Sequence, residues 1–128
     1  MNRSPGSPAM WFSAGRLVWG VVLLAAPQRT FRLLSGSPAT GGSAAVVRAL
    51  GVREVAQASV TLGAPTCPVL TAGAGVDAIH ALTMLVLAIA SRRYRHPALL
   101  SAASATAQTV VGGMLARTAA PTDRDEHP

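Results

Sequence analysis

The residues able to do chemistry in this chain are few, and most stand inside apolar stretches: Arg16, Arg48, Arg53, Glu54, Asp77 and His80. An ionisable group inside such a stretch is expensive when lipid surrounds it, so each needs a partner or a task. A carboxylate beside a histidine can relay protons. Arginines beside carboxylates can instead pair and fix the register of helices. The expected pairs are Arg16 with Asp77, and Arg53 or His80 with Glu54. A polar pocket for a proton or a small ligand and a purely structural pairing both follow from this set.

Other chemistries find less support. Asp77 and His80 stand at i and i+3 but lack a third metal ligand nearby, since His96 falls in a distant basic loop. Gly73-Ala-Gly75-Val76-Asp77-Ala78 fits the loose dinucleotide fingerprint, yet Asp77 would face the pyrophosphate with a like charge. No serine has a nucleophile-elbow context. Cys67 is the single cysteine, in a Thr-Cys-Pro sequence, and it makes neither an internal disulfide nor a metal site. No cofactor and no metal site is therefore expected, and no catalytic residue is assigned.

The elements that must position these residues are apolar segments. The longest is 73–91, GAGVDAIHALTMLVLAIAS, which as a helix reaches roughly 28 Å, about the hydrocarbon thickness of a bilayer. Segments 9–26 and 98–116 have similar length and composition. Segment 44–64, AAVVRALGVREVAQASVTLGA, is more polar. On a helix its Gly51, Glu54, Ala58 and Thr61 share a small, polar face, while Val52, Val55 and Leu62 lie on another. It reads as a fourth span, with an amphipathic helix lying in the interface as the alternative. The fold class is all-α, a bundle of four transmembrane helices over 9–116. Residues 1–8 and 117–128 are expected to be disordered, 27–43 to be a linker with a short interfacial first half, and 65–72 to be a turn. A cleaved signal peptide at the amino terminus is disfavoured because Pro27 follows the first run at once and later segments are equally apolar.

Composition agrees with lipid as the solvent. Half of the 128 residues are hydrophobic but only 4% are aromatic, so the apolar content is mostly Ala, Val, Leu and Gly. Small residues let helices in lipid approach closely. Asp77, His80, Ala81, Met84 and Ala88 make a small or polar stripe opposite Ile79, Leu82, Val86 and Ile89. Ser101, Ser104, Ala105, Gln108 and Gly112 make another such stripe. The net charge of +6 does not point to nucleic acid, because the arginines are scattered instead of clustered on a solvated face. Arginine counts in the short loops place the first and third connections in the cytoplasm and both termini outside, in the plasma (inner) membrane. From the outer side Asp77 is then ~6 Å deep, Arg16 and His80 ~10 Å and Glu54 ~15 Å.

At 48–57, RALGVREVAQ, followed by VDAIHAL at 76–82, the chain resembles small four-helix actinobacterial membrane proteins loosely similar to the DoxX-like group. A Gly-x-Arg-(Asp/Glu) element on the second helix and an Asp near the start of the third recur there. Gly51, Arg53, Glu54 and Asp77 match those positions. The resemblance runs in layout from Arg16 to Gly113 and implies a membrane location and four helices, but no reaction. The DoxX name points to a membrane subunit associated with an oxidoreductase.

The functional expectation is an integral membrane component, either accessory or scaffolding, self-associating through its small-residue faces or bound to another membrane protein. A small proton-coupled transporter using Glu54 and a membrane-embedded oxidoreductase subunit are the alternatives. Arg53 beside Glu54 counts against the transporter, because a neutralised carboxylate exchanges protons poorly.

Overall fold

The computed structural model describes residues 6–119, which form five helices: α1 (Pro8–Ala25), α2 (Pro27–Ser35), α3 (Gly41–Gly63), α4 (Cys67–Ala90) and α5 (Arg95–Ala119). The fold of the described residues is all-α. The expected disorder of 1–5 and 120–128 lies outside them.

Proline and glycine set the boundaries. Ser7 caps α1 by accepting from the Met10 N–H at 3.3 Å, and Pro8 follows in the first turn, where a missing N–H is harmless. Pro27 ends α1 and opens α2 in the same way, and Gly36 closes α2 at φ 66°, a left-handed cap. Thr40 and Ser43 bond reciprocally to cap α3. The segment 27–35 is thus a helix of its own, with Arg29 and Arg32 exposed and Pro27 and Thr30 buried.

Two expected connections are shorter than their sequence suggests. Pro68 sits in the first turn of α4, so that helix starts at Cys67 and not at residue 73. The expected turn 65–72 shrinks to the three residues 64–66. Pro97 likewise lies in the first turn of α5, which begins at Arg95 inside the expected loop. At the other end α5 runs on through Arg117 to Ala119, which were expected to be disordered.

The inward faces repeat at steps of three, four or seven residues. They are Ser13, Arg16, Gly20 and Leu23 on α1, and Ala44, Val47, Gly51, Glu54 and Ala58 on α3. On α4 they are Leu70, Asp77, Ala81 and Ala88, and on α5 Ala98, Ala102, Ala105, Gly112 and Ala116. This is the narrow seam of antiparallel helix pairs. The extensive pairings are α1 with α3 and α4 with α5. In the first, Gly20 and Gly51 let the backbones meet. A Cβ on Gly20 would stand 2.9 Å from the Val55 nitrogen, and one on Gly51 would stand 2.9 Å from the Gly20 carbonyl. Between the pairs, α3 touches α4 and α1 touches α5 only thinly, and α2 bridges α3 and α5 at one end.

The molecule is small inside and bulky outside. Ile79, Leu82, Val86 and Ile89 of α4 are each more than 60% exposed, and Val18 and Met114 match them on α1 and α5. Exposed apolar surface on that scale belongs against lipid. Helices α1, α4 and α5 are long and apolar enough to cross a bilayer, which makes the chain a helical membrane protein. α3 has the length, roughly 34 Å, but not the composition.

Candidate functional site: a ring of charges between two helix pairs

The seam positions on α1, α3 and α4 include Arg16, Glu54 and Asp77, and these meet in the middle of the bundle. Arg16 Nε donates to Glu54 Oε2 at 2.9 Å. Its Nη1 donates to Asp77 Oδ2 at 2.8 Å and its Nη2 to Asp77 Oδ1 at 3.2 Å, a two-pronged pairing. Arg53 reaches the same two carboxylates from its side: Nη1 donates to Glu54 Oε1 at 3.3 Å and Nη2 to Asp77 Oδ1. Each guanidinium therefore touches both carboxylates, and the four residues form a closed ring of two positive and two negative charges. Gln57 accepts from Arg16 Nη2, and Gln108 of α5 donates to Glu54 Oε2 at 3.2 Å. The Arg16 guanidinium also lies over the Phe12 ring, 5.7 Å from its centroid.

The burial is deep. Arg16, Glu54 and Asp77 are 8%, 4% and 0% exposed. Isolated ions at such sites would be prohibitively costly, but every carboxylate oxygen of the ring has a donor and the charges sum to zero. Among the described residues, Ser13 Oγ and Arg53 Nε are buried polar atoms without a partner.

The expected pairs Arg16–Asp77 and Arg53–Glu54 are both present, and the crossed pairs Arg16–Glu54 and Arg53–Asp77 are present as well. His80 is not in the ring. One turn further along α4, its Nε2 hydrogen-bonds Ser101 Oγ on α5 at 3.0 Å. The level of the ring also differs from expectation. With α4 starting at Cys67, Asp77 is ~15 Å from the helix start, close to the ~14 Å of Glu54 from the end of α3. A start at residue 73 puts Asp77 only ~6 Å deep, ~9 Å shallower than Glu54. Gln57 and Gln108 were absent from the expected cluster. Gln57 carried a usable signal, standing three residues after Glu54 on the same face, whereas Gln108 joins only because of how α5 packs.

Beside the ring lies a cavity of about 490 Å³ lined by all five helices. One end is polar, made by Arg53, Glu54, His80, Ser101 and Gln108. Most of the remainder is walled by apolar side chains, among them Trp19, Leu23 and Phe31, with the hydroxyl-bearing Thr40, Ser43, Tyr94 and Ser104 between them.

The chemistry open to this arrangement is narrow. Both carboxylates are held by two guanidiniums, so neither is a free base. His80 and Ser101 stand at the separation of a general base and its nucleophile. Both lie mid-helix, where backbone N–H groups are committed to the helix and supply no oxyanion donors. What the site can do is hold helices together and present a polar end to a small molecule. No family model, no curated protein and no solved structure matches this chain.

Proposed function

We propose that the protein is a four-span integral membrane protein of the plasma membrane that acts as a non-catalytic, scaffold-type component, its charge ring locking two helix pairs in register. The observation that carries this reading is the ring itself. α3 holds Arg53 and Glu54 near its middle, which would forbid a lipid-embedded helix, yet both are neutralised by Arg16 and Asp77 from its neighbours. The outward side of α3 is apolar, with Val46, Val52 and Val60 exposed. Arg48 is exposed too, but it stands ~10 Å from the start of α3 and its stem can carry the charge to the interface. A helix with paired ions inside and valines outside suits lipid on one face and protein on the other.

The arginines support an orientation. Arg29 and Arg32 on α2, together with Arg92, Arg93 and Arg95 around the α4–α5 turn, support a cytoplasmic location for that end of the bundle. The transporter alternative finds less support, because Glu54 is bonded by Arg16, Arg53 and Gln108 at once.

Cysteine accessibility tests the reading. In a Cys67→Ser background, single cysteines are placed at Ser37 and at Thr66, whose side chain makes no cap bond. An impermeant maleimide on intact cells labels Thr66→Cys, while Ser37→Cys reacts only after lysis. Labelling of both from the same side would mean that α3 does not span, and the four-span reading would be lost.

A further inference from the structure

The cavity beside the ring has features that the scaffold reading leaves unused. We infer that it is a binding site for a neutral, single-chain amphiphile drawn from the bilayer, with a hydroxyl- or ester-bearing head of the monoacylglycerol kind. Three observations converge on that class.

The first is size. About 490 Å³ holds roughly 16 non-hydrogen atoms at the ~30 Å³ that each molecule occupies in liquid water. That suits one short chain and a small head within the cavity.

The second is charge. The ionised residues at the polar end belong to the ring, whose two arginines and two carboxylates already cancel. A charged head would enter a buried, neutral site with no free counter-ion, which is costly. A neutral head meets no such barrier. The donor and acceptor it needs are at hand in the half-buried His80–Ser101 pair, whose mutual bond at 3.0 Å can be exchanged for bonds to a hydroxyl.

The third is the route in. Leu34, Val46, Leu87 and Leu100 line the cavity and are also 37–60% exposed. A mouth rimmed by such side chains opens to hydrocarbon, so the ligand arrives from the membrane.

Trp19 lines the cavity, and the other tryptophan, Trp11, is 70% exposed on the outside. A Trp11→Phe background therefore leaves a reporter in the cavity wall. The protein is reconstituted in phosphatidylcholine nanodiscs and titrated with monodecanoylglycerol brominated at its chain end, a contact quencher of indole. The expected result is quenching that saturates at one probe per chain. Ser104→Phe on α5 and Val46→Phe on α3 each fill the cavity from a different helix with a non-fluorescent side chain and should abolish the saturable part. Ser101→Ala and His80→Ala should each weaken it about tenfold, the effect of one lost hydrogen bond. Unlabelled monodecanoylglycerol should displace the probe, and phosphatidylglycerol should not. Quenching that never saturates, saturable quenching that survives both fillers, or displacement by phosphatidylglycerol as effective as by monodecanoylglycerol would each overturn the inference. None of these outcomes bears on whether α3 spans, which the cysteine experiment reads separately.

Discussion

Removing Arg16 tests whether the ring acts as one electrostatic unit. Arg16 donates to Glu54 and to both oxygens of Asp77. Arg16→Met keeps the stem's bulk but leaves Arg53 alone against two carboxylates, a net charge of −1 in the middle of the bundle. Breaking a buried pair from one side costs about 3–5 kcal/mol, mainly through the charge left behind. Glu54→Gln errs in the other direction, leaving two arginines against Asp77, a net +1, and should cost a similar amount. The double variant keeps Arg53 with Asp77 and restores a net charge of zero. Its cost should fall below the sum of the single variants by about 0.5–3 kcal/mol, the coupling of residues in one network. The assay is reversible unfolding in mixed dodecylmaltoside and SDS micelles, followed by far-UV circular dichroism, for all four proteins of the cycle. Additivity within about 0.3–0.5 kcal/mol would refute the reasoning, because it would mean that the two residues do not sense each other's charge.

Further expectations follow from the packing. Gly20→Ala and Gly51→Ala place a methyl group at 2.8–3.0 Å from the facing helix and should destabilise by about 1–3 kcal/mol in the same assay. Gly73→Ala, in the same kind of helix but with open space around it, should be neutral or stabilising by up to ~1 kcal/mol. Thr40→Ala removes the reciprocal cap of α3 and should cost about 1 kcal/mol, with Thr40→Ser retaining most of it. His80→Ala loses one hydrogen bond outside the ring and should cost only about 1 kcal/mol, well below Asp77→Ala, and equal losses in those two variants would contradict the separation of His80 from the ring.

Much of the site was legible because lipid makes ionisable residues conspicuous. Arg16, Arg53, Glu54 and Asp77 stand out in apolar runs, and their types alone require them to meet. The inward stripes were legible for the same reason of contrast, since small residues at helical spacing oppose Ile79, Leu82, Val86 and Ile89. What the residues hid was vertical position. Pro68 and Pro97 read as breakers when met in a string, but in the first turn of a helix proline is a starter, and only the fold distinguishes the two. That ambiguity moved the start of α4 by six residues, ~9 Å, and with it the level of Asp77. The partner of His80 was hidden for a different reason. Both Glu54 and Ser101 are plausible by chemistry, and the choice depends on how far α4 slides along α5.

The ring and the cavity have one physical origin. Within each pair the helices pack closely, backbone to backbone through Gly20 and Gly51 in one and through Gly112 against Ala74 and the buried alanines of α5 in the other. Between the pairs there is no such contact over most of the length, and the long side chains of Arg16, Arg53 and Gln108 span the gap instead. A guanidinium on its stem is a spacer as well as a charge. Where these side chains reach across, the gap is filled with hydrogen bonds. Toward α2 no residue of that length bridges the walls, and the gap stays open as the cavity, with Phe31 and Leu34 of α2 in its lining. Shortening the spacers should therefore collapse the cavity as well as weaken the ring. An Arg53→Ala variant that lost stability but still bound the brominated amphiphile with full affinity would show that the two are independent.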